Sequence, residues 1–277
     1  MFAATTSAGF PAAYTNFSPT KTISIPNRLS PELKEELTDR QERLSWWRQK
    51  LLQESRILQI GAGGLGGPIA KTLVQMGAAI DVLDHDIVEV SNLNRQLFTT
   101  KDLGKPKPHA LLDNISPYAT SERTLHSYWT TIQDFVSTAA SERSYAAYSA
   151  GVDNDDANIA VAKYAIRTGT TAIFTNVSRD GDACRVFVQR AGEACFVCYK
   201  PHALTPEPSP GCLRTPAIAD ILQVAAGLAV RAVVGELMGE PIGDYNCRDL
   251  SFSGFDYVRS IERRPDCPVC GGKNDND

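Results

Sequence analysis

The sequence lacks a long uninterrupted run of apolar residues. Its most apolar stretch, residues 218–238, is interrupted by Asp220, Arg231 and Glu236, whereas a helix that spans a bilayer needs about 20 mostly apolar residues. Residues 1–22 also lack the positive cluster and the apolar core of a signal peptide. These absences argue against a membrane association and an export signal, so we expect a cytoplasmic protein in a reducing compartment.

An excess of positive charge is also missing, because 28 basic residues stand against 32 acidic ones and the formal net charge is −4. A basic field over the whole surface, which favours binding to nucleic acid, is therefore absent, and we expect no nucleic-acid partner. The seven cysteines are an odd number, which excludes complete pairing in intramolecular disulfides.

Strand-like and helix-like segments alternate over the first 180 residues. A short apolar run, a glycine-rich segment, a helix and a second strand form a β-α-β unit, which implies a parallel sheet with a right-handed crossover. The predicted fold class is therefore α/β, with a doubly wound, mostly parallel sheet of the Rossmann-like nucleotide-binding type. The predicted strands here are 56–60, 79–83, 145–152 and 171–177, and the predicted helices are 68–76, 107–114 and 156–168.

The chain divides into two predicted parts. Residues 1–29 are predicted to be a mobile N-terminal arm, and residues 30–277 are predicted to form one domain. Within that domain we expect a nucleotide-binding part at about 54–180, and a crossover loop, a long helix and a cysteine-bearing tail at about 181–272. The other predicted elements are a helix from the N-cap Ser30 to about Gln53, an irregular loop at 201–216 and strands at 183–189 and 252–261.

A glycine-rich loop stands between the first predicted strand and helix of the β-α-β unit. Segment 61–66 reads GAGGLG and fits the GxGxxG pattern, in which backbone N–H groups and a helix N-terminus approach phosphate. Asp84 follows about 20 residues later, where its carboxylate can accept hydrogen bonds from ribose hydroxyls. A glycine turn needed only for packing is the alternative, and the loop alone does not separate NAD from ATP. The glycines are Gly61, Gly63, Gly64 and Gly66.

Two CxxC motifs flank the C-terminal part of the chain. Both thiolates of such a motif can reach one tetrahedral ion, and two motifs complete a four-cysteine site. A zinc ion held in this way has no open coordination position, so the predicted role is structural. Disulfides or a redox pair are the alternatives. The four cysteines are Cys195, Cys198, Cys267 and Cys270.

The most specific pattern follows Asp84. The chain reads DHDIVEVSNLNRQLF at 84–98 and LGKPK at 103–107, with an Asp-Asn pair at 153–154. Together with the glycine loop and the CxxC motifs, these residues resemble the ubiquitin-activating enzyme superfamily, most closely its ThiF/MoeB/HesA-type adenylyltransferases. The resemblance runs from about Arg40 to Gly272. It implies ATP- and Mg²⁺-dependent adenylation of the C-terminal glycine of a small ubiquitin-fold or sulfur-carrier protein, with release of pyrophosphate.

The resemblance also implies a role for individual side chains. Asp84 would hold the ribose, Lys107 rather than Lys105 would contact the phosphates, and Asp153 would place Mg²⁺. Arg40 would complete the site of the partner subunit in a homodimer. The residues that would line the nucleotide and its phosphates are Asp86, Asn92, Asn94, Arg95 and Gln96.

Each of these assignments has a simpler alternative. Arg40, Arg95 and Lys107 could be solvated surface charges, and Asp153 could be a turn former or a helix N-cap. Asn158 departs from the pattern, because many relatives carry an arginine at that place. Metal placement and carrier contact by analogy are therefore open.

Cys212 lies in the proline-rich crossover loop, where the resemblance implies a cysteine for thioester formation or sulfur transfer. A thiolate there could attack the acyl-adenylate, and an inert loop cysteine is the alternative. Cys184 and Cys247 flank strand-like residues and are expected to be core thiols.

Four other functions compete with carrier activation. An adenylating enzyme that modifies a ribosomally made precursor peptide shares the same core and is the main alternative. A relative that acts on tRNA is disfavoured by the acidic pI of about 5.6. A non-catalytic subunit is disfavoured because Lys107 and Asp153 are both present, and an NAD dehydrogenase has no need for the SNLNRQ segment at 91–96.

Overall fold

The computed structural model describes residues 17–27, 29–205, 217–240 and 243–271. The strands in these ranges are β1 Thr20–Ile23, β2 Arg56–Ile60, β3 Ala79–Asp84, β4 Leu125–Trp129, β5 Ala147–Ala150, β6 Ala172–Val177, β7 Ala183–Gln189, β8 Cys247–Ser251 and β9 Asp256–Arg259. The α-helices are α1 Pro31–Glu42, α2 Gln49–Glu54, α3 Gly66–Met76, α4 Lys107–Ile115, α5 Ile132–Phe135, α6 Asp155–Thr168, α7 Phe196–Tyr199 and α8 Ala219–Met238. Short 3₁₀ helices lie at Val90–Asn92, Thr100–Asp102, Ser116–Tyr118, Ala139–Glu142 and Pro201–Leu204.

All the described strands belong to one mixed sheet, in the order β1-β4-β3-β2-β5-β6-β7-β8-β9. Its centre, from β4 to β6, is parallel, and the predicted β-α-β core is confirmed. The prediction of a mostly parallel sheet is wrong, because β1 and the strands β7, β8 and β9 are added antiparallel at the two edges. β7 and β9 follow their antiparallel partners β6 and β8 through short connections, and the chain returns from β7 to β8 through α8. Antiparallel neighbours need no helical crossover.

Helices cover both faces of the sheet, as a doubly wound fold requires. Side chains alternate along each strand, so Ile57 belongs to the apolar cluster under α3, α4 and α8, and Leu58 belongs to the cluster under α5, α6 and α7. The carboxyl ends of the central strands remain at one edge, where loops carry the candidate site.

Among the described residues, one helix, α8, is long and apolar enough to cross a membrane by length and composition. It packs against β6, β7 and α3, and residues such as Ala229 and Val233 are fully buried. Its apolar character is therefore accounted for by its place in the core.

The prediction that residues 1–29 form a mobile arm is wrong for residues 20–23, because these form β1 and pair with β4. Lys21 forms an ion pair of 2.5 Å with Asp113, and Ile23 packs against the core. The strand is fixed by contacts with residues about 90 positions away, which no local pattern reveals. Residues 1–16 lie outside the described part of the chain.

Two other predicted elements have different bounds. The helix expected from Ser30 to Gln53 starts as predicted, with the Ser30 hydroxyl accepting from the Leu33 N–H at 3.4 Å, but it is divided into α1 and α2. The intervening turn brings Trp47 to the core, where it is 9% exposed. The strand expected at 252–261 is confined to β9, because residues 252–255 form the turn that joins it to β8.

Candidate functional site

The glycine loop joins β2 to α3 at the carboxyl edge of the parallel strands. Gly61 has a φ of +91°, and a Cβ on Gly66 would lie 1.8 Å from the Gly61 carbonyl oxygen. These two glycines are required by the turn itself. A Cβ on Gly64 would meet Leu222 of α8 at 2.7 Å, so this glycine is required by packing.

Gly63 has no such packing reason. The nearest atom that an added Cβ would meet is Gln96 Nε2, at 3.8 Å, which is an ordinary contact. The space beside the Gly63 backbone is therefore not filled by a neighbouring side chain. A ligand can approach the N–H groups of the loop closely there. Turn geometry and packing account for Gly61, Gly64 and Gly66, whereas Gly63 leaves space that a ligand could enter.

Asp84 is the last residue of β3 and lies next to the glycine loop. Its carboxylate accepts hydrogen bonds from the Ala62 N–H at 2.7 Å and from the Asp86 N–H at 2.8 Å. Burial and, after it, the negative charge of Asp86 raise the pKa of Asp84 above its ordinary value. The carboxylate therefore stands at the mouth of the loop, where the sequence placed the ribose contact.

Lys107 is the first residue of α4 and only 8% exposed. Its Nζ lies 2.7 Å from Asp86 Oδ2, and its N–H donates to the Asp86 carbonyl at 2.9 Å. Lys105 is turned aside and pairs with Asp102 at 3.1 Å. The structure thus brings Lys107, and not Lys105, beside the glycine loop.

The segment 91–96 contributes one side chain next to the glycine loop and two that are bound within the segment or its turn. Gln96 approaches Gly63, and its Oε1 is buried with no hydrogen-bond partner among the described residues. Arg95 is held by the Ser91 carbonyl at 2.7 Å and by Asn94 Oδ1 at 3.0 Å. Asn92 is 7% exposed and accepts from the Glu89 N–H at 2.9 Å, so its carbonyl oxygen stabilises the turn.

Asp153 follows β5, the strand beside β2. The Gly151 N–H donates to the Ile60 carbonyl at 2.9 Å, which ties this turn to the glycine loop. Asp153 itself is exposed, and the N-cap of α6 is Asn154, which accepts from the Ala157 N–H at 3.2 Å. The alternative of Asp153 as the N-cap is therefore wrong.

Asn158 lies one turn into α6 and is 2% exposed. Its amide donates to the Asn154 carbonyl at 3.1 Å and to the Val152 carbonyl at 3.4 Å. The residue at which the chain departs from its family pattern therefore stabilises the turn that carries Asp153.

Two other site residues remain predictions. Arg40 is an exposed residue of α1, and its action in a partner's site stays a prediction. Cys212 lies outside the described residues, so its role in thioester or sulfur transfer stays a prediction. Cys184 and Cys247 are buried, at 3% and 1% exposure, which confirms the expectation of core thiols.

The four cysteines of the CxxC motifs form one cluster. All four Sγ atoms lie within 4.8 Å of one another, with Sγ–Sγ distances of 3.4 Å for Cys198 and Cys270, 3.6 Å for Cys195 and Cys267, and 4.0 Å for Cys195 and Cys198. A tetrahedral ion with metal–sulfur bonds of about 2.3 Å requires about 3.8 Å between sulfurs. The four Sγ atoms therefore suit one bound metal ion. Burial raises the pKa of the Cys195 thiol, a cost that such a cation would offset.

Gln59 was not singled out by the sequence, although the structure places it under the loop. Its Nε2 donates to the Ile60 and Gly61 carbonyls at 3.0 and 3.2 Å. The signal was a polar residue inside the otherwise apolar strand ILQI at 57–60, because a fully buried glutamine requires a partner.

A glycine loop, a carboxylate bound to its backbone and a buried lysine at the edge of a doubly wound sheet are typical of a nucleotide-binding enzyme. The ThiF family matches residues 35–269, and the chain belongs to that family. The relatives that match most of the chain include proteins named adenylyltransferases, and adenylyl transfer is the enzyme class of this chain.

The chain is similar to proteins of known activity over most of its length. It is 29% identical to the sulfur carrier protein adenylyltransferase of Thermus thermophilus over 247 residues, covering 80% of this chain and 84% of the relative. It is 29% identical to the sulfur carrier protein ThiS adenylyltransferase of Escherichia coli over 234 residues, covering 82% and 89%. Escherichia coli MccB, crystallised with AMPCPP and MccA, superposes with a TM-score of 0.72 at 20% identity, over 89% of this chain and 76% of MccB. That last likeness shows the fold alone.

Proposed function

We propose that this protein uses ATP and Mg²⁺ to adenylate the C-terminal glycine carboxylate of a small ubiquitin-fold sulfur-carrier protein, in the cytoplasm. The observation that carries the proposal is the convergence of Gly63, Asp84 and Lys107 at one edge of the sheet. The names of the relatives that match most of the chain support the class of substrate.

The reaction is an attack of the carrier carboxylate on the α-phosphorus of ATP. A new C–O–P linkage forms, the bond from the α-phosphorus to the bridging oxygen breaks, and pyrophosphate leaves with the electron pair. Charge develops on the phosphoryl oxygens, so fixed cations and N–H donors there stabilise the transition state.

The residues of the site supply these groups. Asp84 would accept the ribose hydroxyls, and the bare backbone at Gly63 would donate to phosphate. Asp86 holds the Lys107 ammonium in place at 2.7 Å, and the incoming phosphate oxygens would share or replace that contact. The Arg95 guanidinium, whose Nη1 donates to the Ser91 carbonyl at 2.7 Å, would add a second cation.

Mg²⁺ would neutralise the triphosphate and polarise its phosphoryl oxygens when bound. The donors fit this ion, because hard cations prefer carboxylate oxygens and the Asp153 carboxylate is exposed. Asp84 and Asp86 offer further ligand atoms, within 4.8 Å of one another and of His85.

Two proposals concern the assembly of the enzyme. We propose that the cysteine cluster holds a structural Zn²⁺, since its Sγ distances fit a tetrahedral ion. We also propose a homodimer in which Arg40 enters the partner's site. Leu33 and Leu37 are 49% and 40% exposed, and at seven and three residues before Arg40 they share its helical face, which leaves an apolar surface beside it.

The test is ATP–pyrophosphate exchange with purified candidate carriers that end in Gly-Gly. We expect exchange only when ATP, Mg²⁺ and the matching carrier are all present, and none when the final glycine is deleted. Exchange that a short precursor peptide supports and that none of the carriers supports would favour the peptide-modifying alternative. The similarity to the MccB fold does not by itself favour that alternative. Binding of ATP with exchange on neither substrate would refute adenylation of a carboxylate.

A further inference from the structure

A row of buried polar side chains lies beneath the glycine loop, and the proposed chemistry does not use it. Gln59, Ser149 and Thr175 are 0%, 0% and 1% exposed. They lie on β2, β5 and β6, which are neighbours in the sheet, and Gln59 and Ser149 are in register across β2 and β5. Thr175 lies two residues beyond Ile173, which is the β6 partner of Ser149. We call these three residues the polar row.

The polar row lies on the face of the sheet that α3, α4 and α8 cover. Residues two positions away on the same three strands, Ile57, Ala147 and Ile173, belong to the apolar cluster to which these helices contribute, and residues i and i+2 of a strand share a face. The polar row is therefore enclosed between the sheet and the helices of this face.

The amide of Gln59 has one possible orientation. Its Nε2 donates to the Ile60 and Gly61 carbonyls at 3.0 and 3.2 Å, and carbonyl oxygens only accept. Gln59 therefore fixes the carbonyl of Gly61, the first residue of the glycine loop. Its Oε1 is directed away from the Ile60 and Gly61 carbonyls.

Each residue of the polar row carries one side-chain oxygen without a hydrogen bond in the described part of the chain. Gln59 Oε1, Ser149 Oγ and Thr175 Oγ1 are fully buried and have no hydrogen-bond partner among the described residues. Gln59 and Ser149 are paired positions on neighbouring strands, which lie about 4.8 Å apart. Two hydrogen bonds of about 2.8 Å that meet at one water molecule join oxygens about 4.5 Å apart, which fits the spacing of this pair.

We propose that Gln59 and Ser149 of the polar row bind an internal water molecule on this face of the sheet, and that Gln59, oriented by this water, is a positioning residue for the glycine loop. The water donates to Gln59 Oε1 and bonds the Ser149 hydroxyl, which gives it two of the two to four polar partners that buried water has. The loop carbonyls are then fixed, and the N–H groups of the loop face the nucleotide. This inference rests on ATP binding by the proposed function and not on the identity of the carrier.

The test measures the Kd for Mg-ATP by calorimetry without any carrier. Gln59→Leu removes both amide bonds to the loop, and the expected rise in Kd is about five- to tenfold. Ser149→Ala removes one partner of the water, with an expected rise of about two- to threefold. Because Ser149 acts through Gln59, we expect Ser149→Ala to have no further effect in the Gln59→Leu background.

Gln189 provides a matched control on β7. It is 2% exposed, donates to the Ala162 carbonyl at 2.9 Å and accepts from the Phe196 N–H at 2.9 Å, with none of these contacts at the glycine loop. Gln189→Leu should lower Tm and leave the Kd for Mg-ATP unchanged, which separates positioning from a general loss of packing.

Three results would overturn the proposal. They are additive effects of the two substitutions, an unchanged Kd in folded Gln59→Leu, and a crystal structure at about 1.8 Å in which Ser149 contacts Gln59 directly with no water between them. If Gln59→Leu does not fold, the crystal structure and the Kd of the Ser149→Ala variant still decide, since that change removes a partner of the water and keeps the Gln59 amide. Absence of ATP binding by the wild-type protein would instead refute the proposed function.

Discussion

Replacement of Lys107 by alanine separates the chemistry of the site from its stability. The Lys107 side chain is 10% exposed, and its partner Asp86 is 51% exposed. Loss of this pair leaves a carboxylate that water still solvates, so it should cost about 0–1 kcal/mol of folding free energy. Loss of a fixed cation from developing phosphoryl charge should lower kcat by about 10²–10³, or about 3–4 kcal/mol.

The assay is ATP–pyrophosphate exchange at saturating ATP and carrier, with Tm and metal content measured on the same preparations. Lys105→Ala is the matched control, because Lys105 belongs to the same GKPK segment but is bound to Asp102 at 3.1 Å and is 38% exposed. We expect Lys105→Ala to retain exchange within about twofold. Equal losses in the two variants, or more than a tenth of wild-type exchange in Lys107→Ala, would refute the assignment of Lys107 to the phosphates.

Three further substitutions test the remaining assignments. Asp153→Ala should leave Tm nearly unchanged, since the residue is exposed, and should abolish Mg²⁺-dependent exchange; persistent exchange would remove Asp153 from the site. Cys198→Ser should reduce bound zinc per chain from one to near zero and lower Tm, whereas Cys184→Ser should keep the metal; equal zinc content in both would contradict a four-cysteine site. Cys212→Ser should preserve exchange and stop any thioester or sulfur transfer, and unimpaired transfer would return Cys212 to the inert alternative.

The local patterns predicted the centre of the fold well. The apolar run at 56–60, the glycine loop and the helix ending at Gly77 are all found where the spacing placed them, because each depends on residues close in sequence. The two CxxC motifs also predicted the cysteine cluster, since two residues between thiols fix their geometry. The identity of the metal stays a prediction.

The edges of the sheet were not predictable in the same way. β1 and β8 are strands of four or five residues whose hydrogen bonds are made with partners far along the chain. Short segments of this kind have no periodicity long enough to distinguish them from loops. The mobile-arm prediction failed for this reason, and so did the prediction of a mostly parallel sheet.

The sequence by itself determined the family, the glycine loop and the set of residue types that adenylation requires, because these depend on spacing along the chain. Tertiary structure alone decided that Lys107 and not Lys105 reaches Asp86, that Asn154 and not Asp153 caps α6, and that Gln59 lies under the loop. Each of these choices rests on contacts between residues on different elements, whose distances are set only when the strands and helices pack together.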